Sequence, residues 1–105
     1  MNYPKNLSTG EFKNQISSDQ SAVIIDVRTP AEFNDGHISN SLLIDIYNPT
    51  FQNDILKLDK SKNYYIYCRS GNRSYHAAVF MLSEGFNSVQ HLADGIISWT
   101  DKLER

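Results

Sequence analysis

Short unbroken apolar runs alternate along this chain with stretches in which apolar residues recur every three or four positions. Ala22-Val23-Ile24-Ile25-Asp26-Val27 is apolar but for one acid near its end, the pattern of a strand covered on both faces. Ser41-Leu42-Leu43-Ile44-Asp45 and Tyr64-Tyr65-Ile66-Tyr67 predict two more strands, and Val89-Gln90-His91-Leu92 a weaker last one. Helical signals lie between them. Ser8-Thr9-Gly10-Glu11 is a capping box with Leu7 and Phe12 placed as a hydrophobic staple, and it predicts a helix over 9–17. Thr29-Pro30-Ala31-Glu32 is a second capping box, with Pro at the first helical position and Gly36 as the stop. Asn48-Pro49 predicts another helix start, followed by Phe51, Ile55 and Leu58 at helical spacing. Ala77, Ala78, Met81 and Leu82 make one apolar helix face that Gly85 ends, and Ile96, Ile97, Trp99 and Leu103 predict a closing helix. Strands separated by helices require right-handed crossovers. The predicted class is therefore α/β: three layers, a mostly parallel sheet of four to five strands, and helices on both faces.

Composition narrows the function. The 105 residues suit one domain, and 40% apolar residues suffice for a hydrophobic core. A net charge of −2 with scattered basic residues argues against nucleic acid or an acidic membrane as partner. No apolar run approaches the length of a membrane span. The start, Met1-Asn2-Tyr3-Pro4-Lys5-Asn6, lacks the basic-then-apolar order of a signal peptide. With one cysteine, Cys68, no internal disulfide exists, so a reducing cytoplasm and a free thiol are expected, with a monomer as the default state.

Cys68-Arg69-Ser70-Gly71-Asn72-Arg73-Ser74 lies between a strand and a helix. In an open parallel sheet, ligands bind beyond the carboxyl ends of the strands, where this loop falls. A loop of this kind turns backbone N–H groups toward a common centre, and the helix behind it adds partial positive charge. Gly71 permits the tight curl. An anion at the centre would be held by main-chain donors and two guanidinium groups, and the first such anion is Cys68 itself. These surroundings favour the thiolate, the nucleophilic form. The competing structural reading, a cysteine that merely ends a strand and packs inward, explains none of the neighbouring arginines and glycine.

This loop resembles the active-site loop of single-domain rhodaneses. Ile25-Asp26-Val27-Arg28, Pro30-Ala31-Glu32-Phe33 and Gly36-His37-Ile38 resemble that family's first signature, and Gly85-Phe86 with Gly95-Ile96-Ile97-Ser98-Trp99 its ending. The resemblance implies a sulfurtransferase in which Cys68 takes sulfur from thiosulfate or a similar anion as a persulfide and passes it to cyanide or a thiol. It implies a binding loop of Arg69, Ser70, Gly71, Asn72, Arg73 and Ser74, and Arg73 bracing the loop backbone or a bound anion. No cofactor is implied. A second cysteine is absent, so the acceptor must come from outside. The alternative is a sulfur-relay or interaction module fed by a partner protein. A cysteine phosphatase also uses a thiolate, a backbone cradle and an arginine, but it spaces Cys and Arg by five residues. Here four residues intervene, a tighter ring that suits one sulfur better than a phosphoryl group.

Asp26, Arg28 and Glu32 are read as a supporting network, with the carboxylates pairing Arg28 or Arg73, since transfer through a thiolate requires no general base. His37, His76 and His91 are not at metal-ligand spacing, so no metal is expected. Trp99, Tyr64, Tyr65 and Tyr67 are assigned to packing. Asp94 stands where the family has a first glycine; it tolerates turn geometry and adds a negative charge near the site.

Overall fold

A computed structural model describes residues 3–105, so the first two residues of the N-terminal stretch lie outside the described residues. In chain order the elements are β1 (Lys5–Leu7), α1 (Thr9–Ser18), β2 (Ala22–Asp26), α2 (Pro30–Asp35) and β3 (Leu42–Leu43). Then follow α3 (Phe51–Leu56), β4 (Asn63–Tyr67), α4 (Asn72–Ser83), β5 (Ser88–Leu92) and a 3₁₀ turn (Ile96–Ser98). The five strands form one sheet in the order β1-β5-β4-β2-β3, and every pairing is parallel. β2 and β4 align Asp26 with Tyr67, so both strands deliver their next residues to the same edge.

Side chains alternate between the two faces with the strand period of two. Val23, Ile25, Val27, Tyr64, Ile66 and Cys68 pack with Phe51 and Ile55 of α3 and Ala77, Ala78 and Met81 of α4. Ala22, Ile24, Tyr65 and Tyr67 face the other way, onto Phe12 and Ile16 of α1 and Trp99 and Leu103 of the C-terminal stretch. The sheet is thus covered on both faces, the α/β arrangement the apolar runs predict.

Both capping boxes form. Ser8 Oγ accepts from Glu11 N at 3.2 Å and Ser8 N donates to Glu11 Oε1 at 2.9 Å; Thr29 and Glu32 repeat the exchange. Leu7 and Phe12, the staple pair, are both buried in the second cluster.

Four elements depart from expectation. β1 was not anticipated: three residues, only Leu7 buried, carry too little pattern, and it is held as a strand by β5. β3 is two residues long because the Asp45 carboxylate captures Tyr47 N at 2.9 Å and turns the chain. Asn48 likewise accepts from Thr50 N and delays α3 until Phe51. The closing helix is only the 3₁₀ turn: His37 and Glu104 exchange backbone bonds of 2.8 and 2.9 Å, which draws the last residues into extended backbone.

Candidate active site

Strand β4 is buried along Tyr64–Tyr67 and carries Cys68 directly off its end, with 1% of the residue exposed. The chain then turns through Arg69, Ser70 and Gly71 into α4. Gly71 is the N-cap of that helix at φ 103°, and it has no side chain to cap the free N–H groups. The cysteine sulfur takes that place. Gly71 N donates to Sγ at 3.1 Å, and Ser74 N, the third helical residue, donates at 3.3 Å. A capping oxygen ordinarily accepts from this position. A negative sulfur there gains from the two donors and from the helix terminus behind them.

The loop is seated by a second loop beneath it. Ile96 N donates to Cys68 O at 3.0 Å and Ile97 N to Arg69 O at 3.3 Å. The contact is so close that a Cβ on Gly71 would strike the Ala93 carbonyl and one on Gly95 would strike the Arg69 carbonyl. Gly95 also has φ 78°, left-handed geometry that favours glycine. Asp94 does not share it: Asn40 alone among the described non-glycine residues has positive φ, and Asp94 lies exposed in an ordinary turn.

Arg73, which the resemblance has bracing the loop backbone or a bound anion, turns to a carboxylate of the α2 helix. Its guanidinium forms a two-pronged pair with Glu32, at 2.8 and 2.9 Å, and lies over the Tyr47 ring at 5.8 Å. Glu32 also accepts from Thr29, so one carboxylate caps α2 and anchors α4. The Arg73 bonds are the main reason its carboxyl is held down to about 2. Glu32 in turn holds the Arg73 pKa above its ordinary value, with Cys68 a smaller contributor, so the positive charge is within electrostatic reach of the sulfur.

Asp26 and Arg28 form a separate buried pair. Arg28 grips the carboxylate through Nε and Nη2, the closest contact 2.7 Å, and Nη2 also donates to Gly36 O at 2.6 Å. This pair ties the end of β2 to the segment after α2. The predicted network therefore exists as two ion pairs, Asp26–Arg28 and Glu32–Arg73.

Arg69, Ser70 and Asn72 are exposed on the rim, and Ile97 stands 63% exposed beside Arg69. His76 is exposed and lines a hollow of about 360 Å³ with Pro49, Phe51 and Phe80. His37 stacks on Phe33 at 3.7 Å and bonds its carbonyl, a structural role. Among the described residues no cluster of His, Cys, Asp and Glu could hold a metal ion, and no helix is long and apolar enough to cross a membrane.

His91 is a residue whose place the sequence did not reveal. It is buried, with Nδ1 2.9 Å from Ser74 Oγ and Nε2 2.7 Å from Asn6 Oδ1. A signal was available: Val89 points to the α4 face, and two residues on a strand restores the same side.

The chain matches the rhodanese-like domain family over residues 8–102 and belongs to it. A sulfurtransferase of Allochromatium vinosum is 29% identical over 93 residues, 89% of this chain and 85% of that protein. A tRNA uridine(34) hydroxylase of Yersinia pestis is 35% identical over 97 residues, 87% of this chain but only 27% of the hydroxylase. The crystal structure of a rhodanese-like domain protein from Staphylococcus aureus superposes with a TM-score of 0.82 at 32% identity, covering 95% of this chain and 96% of that one. Family and sulfurtransferase relative together support sulfur transfer as the general chemistry.

Proposed function

We propose that the chain is a thiosulfate-type sulfurtransferase with Cys68 as nucleophile and sulfur carrier. The observation that carries this reading is the seat of Sγ, held by Gly71 N and Ser74 N at the start of α4. The thiolate attacks the outer sulfur of the donor; a sulfur–sulfur bond forms to Cys68, the donor's bond breaks, and sulfite leaves with its electron pair. The outer sulfur then passes to cyanide or a cellular thiol, which regenerates the thiolate. Arg69, exposed at the rim, and the start of α4 beneath the sulfur favour an anionic donor. A cytoplasmic location suits a carrier that needs a reduced thiol.

A partner-fed relay is the second reading, favoured by the exposed side chains of Tyr47 and Ile97, which stand beside Arg73 and Arg69. Intact mass before and after thiosulfate, with Cys68→Ser as control, separates them. One added sulfur, absent in the variant and removed by cyanide, is the expected result. An unloaded but alkylatable Cys68 that takes sulfur from a protein persulfide would replace the first reading with the second.

A further inference from the structure

A thiol 1% exposed must pass its proton to something, and the hydrogen bonds around Cys68 mark a path. Sγ is 3.5 Å from Ser74 Oγ, Ser74 Oγ is 2.9 Å from His91 Nδ1, and His91 Nε2 is 2.7 Å from Asn6 Oδ1. An amide oxygen only accepts, so Nε2 carries the proton and Nδ1 is free to accept the Ser74 hydroxyl. The Ser74 lone pairs are thereby left for the thiol. Ser74 is wholly buried and His91 nearly so, and Asn6 at the far end is exposed on β1.

We propose that Cys68, Ser74 and His91 form a proton relay in which His91 takes up the proton the buried thiol sheds. The proton on Sγ moves to Ser74 Oγ as the Ser74 hydroxyl proton moves to His91 Nδ1. Ser74 is unchanged, Cys68 becomes the thiolate, and His91 becomes an imidazolium that donates to Ser74 and to Asn6. Charge within the site is conserved. Each end state satisfies its donors: the thiol state through S–H to Ser74 to His91, the ionised state through His91 to Ser74 to sulfur. With the proton lost elsewhere and His91 neutral, Sγ keeps its bonds from Gly71 N and Ser74 N but forgoes the Ser74 hydroxyl, which stays with His91. The relay state adds that third, charge-assisted donor. The Gly71 carbonyl, 3.1 Å from Ser74 Oγ, is the other acceptor for that hydroxyl.

The groups that face His91 fit the role. β4 presents apolar Ile66 at its register position, β1 presents Asn6, and α4 presents Ser74 and the Tyr75 ring at 5.6 Å. Burial holds the His91 pKa below its ordinary value, which favours the neutral, accepting ring and opposes the imidazolium, so His91 keeps the proton only where the adjacent thiolate offsets that cost. His91 acts through Ser74 and is a positioning residue in this sense. The inference rests on Cys68 as the nucleophile.

The test is the rate of Cys68 alkylation by iodoacetamide at near-neutral pH divided by its rate at alkaline pH, a ratio insensitive to changed access. His91→Asn keeps an acceptor for Ser74 but cannot take a proton, and we expect the ratio to fall about tenfold. Ser74→Ala should give a similar fall, and the double variant no further one. A wild-type ratio in His91→Asn, or additive losses, would overturn the relay. Should either variant fail to fold, nitrogen NMR of the His91 ring in the unaltered chain decides. Alkylating Cys68 should move the ring's titration to lower pH, and an unmoved titration overturns the relay. Neither assay needs a sulfur donor, so failure of thiosulfate loading bears only on the proposed function.

Discussion

Glu32 holds Arg73 through two hydrogen bonds of 2.8 and 2.9 Å that join residues 41 apart in the chain. The same carboxylate closes the capping box of α2, so the helix that follows β2 and the helix that follows Cys68 share one anchor. Arg73 is thereby held in one place at the start of α4, its side-chain entropy lost on folding.

The pair makes stability depend on pH with a definite sign. Glu32 is lowered from 4.5 to about 2. The stabilisation is fully present above 4.5 and disappears as the pH falls toward 2. Glu32→Gln should cost about 1–2 kcal/mol at neutral pH. Urea unfolding of both proteins across acid pH should show the two curves converging. A constant gap would mean that the carboxylate charge is not what Arg73 responds to.

Arg28→Met should destabilise more, by about 3–5 kcal/mol, because it leaves the wholly buried Asp26 carboxylate without its cation. Replacing Asp26 and Arg28 together with apolar residues should recover much of the loss. Thermal unfolding of the two variants side by side reports it, and equal losses would count against the buried-charge argument.

Gly95→Ala meets both a left-handed backbone and the Arg69 carbonyl, so the loop that seats Cys68 has to shift. We expect a loss of more than about 1 kcal/mol together with a clear drop in Cys68 alkylation at neutral pH. Alkylation unchanged in a destabilised protein would show that the two loops are uncoupled.

Asp94→Gly should leave stability within about 0.5 kcal/mol, since Asp94 is exposed and carries no positive φ. Its effect belongs to the donor: KM for thiosulfate should fall about twofold at low salt, and less at high salt, with kcat unchanged. Steady-state kinetics at two ionic strengths decides this. A change in kcat instead would place Asp94 in the chemistry.

Legibility in the sequence followed the range of the interactions. The capping boxes of α1 and α2 need only residues three apart, and both formed as read. The closing helix failed because its rival was distant: Glu104 pairs with His37, sixty-seven positions away, and no local pattern reports that competition. β1 failed for the same reason, being a strand only by virtue of β5.

At the site, the sequence by itself determined that a cysteine leaves a buried strand and enters a helix through a glycine, because strand, turn and helix start are local preferences. It also limited the partners of the carboxylates to Arg28 and Arg73. Tertiary structure alone decided that Arg73 goes to Glu32 rather than to its own loop, and that Gly95 rather than Asp94 bears the close approach. It decided too that His91 meets Ser74 on one side and Asn6 on the other, the latter from a strand that pairs with its own only once the sheet is built. These are relations between side chains on separate elements, and only the packing of those elements brings them within hydrogen-bond distance.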